Sequence, residues 1–252
     1  MFCRIWQVDM RIAMIVEYEG TAYAGWQRQK NAVTVQQKIE EALLSLGKGP
    51  IAVCGAGRTD SGVHARGQCA HFDIESTIPA HKFPFVLNAK LPRDIRVKKS
   101  WQAAEDFHCR FSAKGKRYIY YIDNEPQASA LWGRFSMHVP ERLDIDSMRL
   151  AAEKIKGTHD FAAFCAAGGS AKTTVRTIFR LEVEKQAEQI SITVEGNGFL
   201  YNMVRIIAGT LIEVGKGKKT PAQVAEILAG AQRKEAGMTA EAKGLIMDEV
   251  FY

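Results

Sequence analysis

Apolar and polar positions alternate between two periods along this chain, and the switches between them mark its elements. Ile12–Tyr18, rich in Ile, Met, Val and Tyr, reads as a strand. Thr34 precedes Val35, Ile39, Ala42, Leu43 and Leu46 at helical spacing, with Gln37 placed to complete a capping box and Gly47 to end the helix. A short strand is expected around Ile51–Cys54, another around Cys69–Ile74, a helix within His81–Lys90 and a strand over Ile95–Ala103.

The second half repeats that order. Arg117–Asp123 reads as a strand, and Asp144 caps a helix through Ile145, Met148, Ala152 and Ile155. Thr174–Glu184 and Ile190–Val194 form a hairpin pattern. Phe199–Val214 is an apolar helix, Thr220-Pro221-Ala222-Gln223 opens another, and Leu245–Tyr252 closes the chain as a strand. Each half is therefore β-α-β-β-α-β, the split βαβ unit of ferredoxin-like domains, with one extra helix in the second. The expected class is α+β, with halves at residues 10–106 and 107–252 and with residues 1–9 outside them as a leader or non-native start. A cleft between two such domains is a common place for an active site.

Composition narrows the class. Of 252 residues, 46% are hydrophobic and 25% charged, which excludes a disordered chain. The most apolar long stretch, Phe199–Val214, contains Asn202, Arg205 and Glu213 and is too short and polar to span a bilayer. No signal peptide is expected in Met1–Met10. Five cysteines without a CxxC pair suggest neither a disulfide framework nor a zinc site, and so a cytoplasmic, reducing environment. The net charge is +6, and Lys90–Arg117 alone carries it, with nine basic and three acidic residues. A basic stripe on a neutral body points to a polyanion such as nucleic acid, although a solvated basic face has the same composition.

Chemistry concentrates in Gly55-Ala56-Gly57-Arg58-Thr59-Asp60-Ser61-Gly62-Val63-His64-Ala65-Arg66-Gly67. Four glycines there permit positive-φ backbone between two strands. One carboxylate, two guanidiniums, an imidazole and two hydroxyls sit among them, and each needs a partner if buried. The segment fits neither the phosphate-binding GxxxxGK[ST] pattern nor G-x-G-x-x-G. The six histidines lack paired metal-ligand spacing and read as structural or RNA-contacting; Cys54, Cys69 and Cys165 read as small core residues.

Gly57-Arg58-Thr59-Asp60-Ser61-Gly62-Val63-His64-Ala65 resembles the active-site signature of the tRNA pseudouridine synthase A family. Lys116-Arg117-Tyr118-Ile119-Tyr120-Tyr121-Ile122, Gly198-Phe199-Leu200-Tyr201-Asn202-Met203-Val204-Arg205 and Gly244-Leu245 match it in the same order. Tyr18-Glu19-Gly20-Thr21 with Gly25-Trp26-Gln27 is similar to its N-terminal block, with Glu19 where Asp is usual. The resemblance implies the pseudouridine synthase fold: two ferredoxin-like, RNP-like halves joined into a continuous, mainly antiparallel sheet, helices on one side and the active cleft on the other. It implies a cofactor-independent, metal-free homodimeric isomerase acting at tRNA positions 38, 39 and 40, in the anticodon stem-loop. Asp60 is then the catalytic carboxylate, Tyr118 packs on the target uracil, Arg205 pairs with the aspartate, Leu245 lines the pocket and Arg58 enters the RNA stack. His64, Arg66, Arg110, Lys114 and Lys116 are the expected RNA contacts.

The residue chemistry agrees and leaves the covalent path open: a carboxylate can attack the sugar C1′, attack uracil C6 or remove the C2′ proton. Three other readings stand beside it. A non-catalytic RNA-binding module would not need Asp60 and lacks here the Lys/Arg-Gly-Phe/Tyr signature on a middle strand. A carboxylate-dependent N-glycosidase would release free base, and a metal-dependent hydrolase would lose activity to a chelator.

Overall fold

A computed structural model describes residues 8–46, 49–169 and 171–252. The strand expected over Ile12–Tyr18 is β1, Val8–Tyr18. Ile12, Met14, Val16 and Tyr18 share one face and are all buried, so a one-residue slip would turn that set over. The expected helix is α1, Val35–Leu44, capped by Thr34, whose hydroxyl accepts the Gln37 N–H at 3.3 Å. Half of the capping box forms; the Gln37 side chain donates instead to Glu41 at 2.8 Å. Gly47, expected to end the helix, lies outside the described residues.

β2 is only Cys54–Gly55, shorter and later than expected. β3, His64–Ser76, begins five residues before the apolar run that signalled it. After a 3-10 turn, α2 spans Phe83–Asn88, and the Phe83 ring meets Phe72 of β3 edge-on at 5.5 Å. β4 is Ile95–Ala103, as the sequence predicts. β1 lies between β3 and β4, antiparallel to both, and β2 pairs β3 through Cys54↔His71 and Gly55↔Ala70. These elements belong to one compact unit, Met1–Lys114 with Met247–Tyr252.

The second unit is Gly115–Ile246. It contains β5 (Gly115–Asp123), β6 (Met137–His138), α3 (Ile145–Ile155), β7 (Gly157–Asp160), β8 (Val175–Gln186) and β9 (Gln189–Gly196). β5, β9, β8 and β7 pair antiparallel in that order, while β6 adds to β5 in parallel. Asp144 caps α3 as expected, accepting the Ser147 N–H at 3.1 Å. α4 runs Met203–Gly215, four residues later than its apolar pattern begins, because Asn202 takes φ 59° and ψ 7° and breaks the helical path there. α5, Pro221–Gly230, carries the full Thr220/Gln223 capping box. β6 and β7 were not expected: two and four residues give no periodicity to read.

β10, Leu245–Phe251, is the closing strand. From Met247 onward it belongs to the first unit, where the Lys114 N–H donates to Phe251 O at 2.8 Å and the Tyr252 hydroxyl to Cys109 O at 2.7 Å. The chain is thus α+β with mostly antiparallel strands. Among the described residues no helix is long and apolar enough to cross a membrane.

Candidate active site

Asp60 sits on the loop between β2 and β3, half-buried, and that loop is held from several directions. The Val63 N–H donates to Asp60 O at 3.1 Å, closing a turn whose third residue, Gly62, has φ 78°. Thr59, just before the carboxylate, is buried; its hydroxyl bonds the Tyr18 hydroxyl at 2.8 Å and its carbonyl accepts the Trp26 N–H at 3.2 Å. The Gln68 amide, fully buried on β3, donates to Gly57 O at 2.7 Å. The Ser61 hydroxyl and Gly62 N–H both donate to Tyr23 O, at 3.2 and 3.3 Å. Gly25, at φ 86°, passes so close to the Thr59 carbonyl that a Cβ there would overlap it. The segment 18–26 and Gln68 therefore hold the Arg58–Gly62 loop. Burial pushes the Tyr18 hydroxyl well above its ordinary pKa, so it stays a neutral hydrogen-bonding group.

In the second unit Tyr118, on β5, is 7% exposed, and its ring meets Phe199 edge-on at 5.1 Å. Arg205 lies on the first turn of α4. Its Nε donates to Ala240 O at 2.8 Å and its Nη1 to Asn202 Oδ1 at 2.9 Å. Leu245 is buried at the start of β10, next to Gly244, which packs against the Tyr120 ring. The Tyr120 hydroxyl donates to Glu241 O at 2.9 Å, fixing the turn before Leu245.

The expected RNA contacts fall into different environments. Arg58 is exposed. His64 is only 2% exposed: β3 starts there, and its Nδ1 accepts the Gly20 N–H at 3.0 Å with Glu19 at 3.7 Å. There His64 supports the turn after β1. Arg66 is exposed but paired with Asp248 at 2.7 Å. Arg110 and Lys114 are exposed, Arg110 over the Phe111 ring at 5.8 Å, and Lys116 is half-buried.

Cys54 is exposed, not a core residue as its apolar neighbours suggested, whereas Cys69 is buried. Cys54, His71 and His108 bring one ligand-type atom each within 4.8 Å of the others, a cluster that sequence spacing hid. Polarity argues against a metal there. His71 Nδ1 accepts the Cys109 N–H at 3.4 Å, and His108 Nδ1 accepts the Arg110 N–H at 3.2 Å. A ligating imidazole needs its outer nitrogen to donate, not accept.

Sequence reasoning missed the anchors Tyr18, Gln68, Asn202 and Ala240. Tyr18 was signalled only by its place in the Tyr18–Thr21 block and Asn202 only by its place in the Gly198–Arg205 stretch; nothing marked Gln68 or Ala240.

The family model for tRNA pseudouridine synthase matches residues 14–112 and 151–252. The chain therefore belongs to the tRNA pseudouridine synthase family, isomerases that act on tRNA. Within it, the similarity is to the A type. A tRNA pseudouridine synthase A of Ruminiclostridium cellulolyticum is 51% identical over 243 residues, covering 96% of this chain and 99% of that protein. Those of Acetivibrio thermocellus and Brevibacillus brevis are each 49% identical, over 241 and 242 residues, again covering 96% of this chain and 99% of theirs.

Proposed function

We propose that the chain converts uridine to pseudouridine at tRNA positions 38, 39 and 40, in the anticodon stem-loop, with Asp60 as the catalytic carboxylate. The observation that carries this reading is the fixed Asp60 loop, whose backbone is anchored on both sides of that residue. The reaction breaks the N1–C1′ bond, turns the uracil, joins C5 to C1′ and releases the C5 proton to water, while the freed N1 takes up a proton. Each possible role of the carboxylate needs it ionised. In this reading Arg205 pairs with Asp60, and an opposite charge within about 4–6 Å favours that form. The Tyr118 ring packs on the uracil, its edge-on contact with Phe199 fixing its plane, and Leu245 lines the same pocket. Flipping the base costs a few kcal/mol of stacking, which the exposed, planar Arg58 offsets by entering the gap.

Arg110, Lys114 and Lys116 extend a phosphate track, and Arg66 joins it when RNA displaces Asp248 from its guanidinium. Residues 10–106 and 107–252 are the two ferredoxin-like halves, and the enzyme is a cytoplasmic homodimer that needs no metal or organic cofactor. The four described cysteines are free, in keeping with a reducing compartment.

The test uses a tRNA transcript tritiated at uridine C5. Wild type should release tritium into water, and Asp60→Asn should bind the tRNA and release none. Release by Asp60→Asn would remove that residue from the chemistry. Free tritiated uracil from the wild type would replace isomerisation by base excision.

A further inference from the structure

Two bonds within its own unit hold the Arg205 side chain. A guanidinium is planar and rigid, so bonds from Nε to Ala240 O and from Nη1 to Asn202 Oδ1 fix both its plane and the edge it presents. Ala240 is a firm anchor. Its N–H returns a bond to Arg205 O at 3.1 Å, and the Gly237 N–H ties the same segment to Thr210 Oγ1 of α4 at 2.9 Å. Gly209 and Gly237 leave no room for a Cβ where that segment crosses the helix.

Asn202 is the other anchor, and its geometry is unusual. It stands at the N-cap of α4, where an Asn side chain ordinarily accepts a backbone N–H from the first turn. Here it makes no such capping bond. Its backbone lies in the left-handed region, at φ 59°, while its carbonyl still accepts the Ile206 N–H at 3.0 Å. Among residues with a side chain, Asn tolerates this conformation best. The helix gives up a cap, and the oxygen goes to the guanidinium three residues on.

We propose that Asn202 is a positioning residue for the isomerisation: its left-handed backbone and side-chain oxygen together aim the Arg205 guanidinium. This rests on the reading of Arg205 as partner of the catalytic carboxylate.

Glycine and alanine separate the two contributions of Asn202. Asn202→Gly keeps the left-handed backbone and removes the acceptor; Asn202→Ala removes both. Both variants should keep KM for tRNA within about twofold and lose kcat by up to about 100-fold, the size of a misplacement near 1 Å. Only the alanine variant should also unfold at lower temperature. In an Arg205→Lys background, Asn202→Gly should change the single-turnover rate no further, since it acts through the guanidinium. Wild-type kcat in Asn202→Gly would overturn the proposal, as would a full further loss in the Arg205→Lys background. If Arg205→Lys and Asp60→Asn both keep wild-type turnover, the reading beneath it fails instead.

Discussion

Replacing Tyr18 by Phe tests whether the Asp60 loop is held by the anchors described above. The change deletes one oxygen and keeps the ring, which stays against Trp26 at a centroid separation of 6.0 Å. What is lost is the 2.8 Å bond to Thr59 Oγ1, between two residues that are 2% and 7% exposed, together with the hydroxyl's interaction with the Gln68 side chain. Because burial keeps the Tyr18 hydroxyl neutral, the bond is neutral–neutral, with a net worth of about 1 kcal/mol. Leaving the buried Thr59 hydroxyl without it raises the cost to about 1–3 kcal/mol. For a chain of this size each kcal/mol lowers Tm by about 2–4 °C, so the expected fall is about 2–12 °C. Asp60 follows Thr59 directly, and a loosened loop should cost kcat up to about 100-fold with KM little changed.

The decisive assay is a double-mutant cycle by thermal unfolding with Thr59→Val. Removing both hydroxyls leaves neither group orphaned, so the double variant should lose less than the two single losses combined, by about 1 kcal/mol or more. Losses that add to within about 0.3–0.5 kcal/mol would show that the two hydroxyls do not support each other, and the account of how the loop is held would fall.

Three other perturbations probe separate parts of the structure. Gly25→Ala combines φ 86° with a Cβ driven into the Thr59 carbonyl, whereas Gly217→Ala has φ 71° and open space; the first should destabilise clearly more, and equal Tm losses would deny the close approach. His71 has its pKa lowered from 6.5 by burial first, then by His108 and Arg11. The unfolded chain therefore takes up that proton first, and stability is lost as pH falls below about 6.5. His71→Asn should flatten Tm between about pH 7.5 and 5.5; Asp73, lowered from 3.8 by Arg11, acts below that window, so an unchanged slope would refute the assignment. Affinity for tRNA should fall with salt by about 0.9 log unit per duplex phosphate contact per log unit of salt, and Lys114→Ala should reduce that slope more than Arg66→Ala, which already spends its charge on Asp248. A flat salt dependence would remove the basic stripe from binding.

Elements were legible in the sequence where local pattern and cap agree. Ile95–Ala103 emerges with its expected ends, and Thr220–Gln223 folds into the capping box its residues spell. Departures occur where a long-range partner or a single backbone angle decides. The apolar run from Phe199 looks helical throughout, but Asn202 turns left-handed and delays α4. β3 starts at His64 because Ala65 pairs with Tyr18, a register that no property of residues 64–68 announces and that buries the His64 imidazole.

The site divides along the same line. Its motif consists of reactive groups, and these are recognisable because Asp, Arg, Gly and Ser cluster in a few consecutive positions. What gives those groups a direction is different in kind. Tyr18 reaches Thr59 across 41 residues, Gln68 reaches Gly57 across 11 and Arg205 reaches Ala240 across 35. A buried Tyr or Gln in a strand, or a half-buried Asn at a helix end, reads as ordinary core or cap material, since its partner is chosen by topology. Preorganisation of this kind depends on locked rotamers and outer hydrogen bonds. The Asp60 loop is held by the turn after β1 and by β3, and the Arg205 guanidinium is bonded to the segment that crosses α4. It follows that conservative changes at unremarkable positions, Tyr18→Phe or Asn202→Gly, should damage kcat more than many substitutions inside the basic stripe.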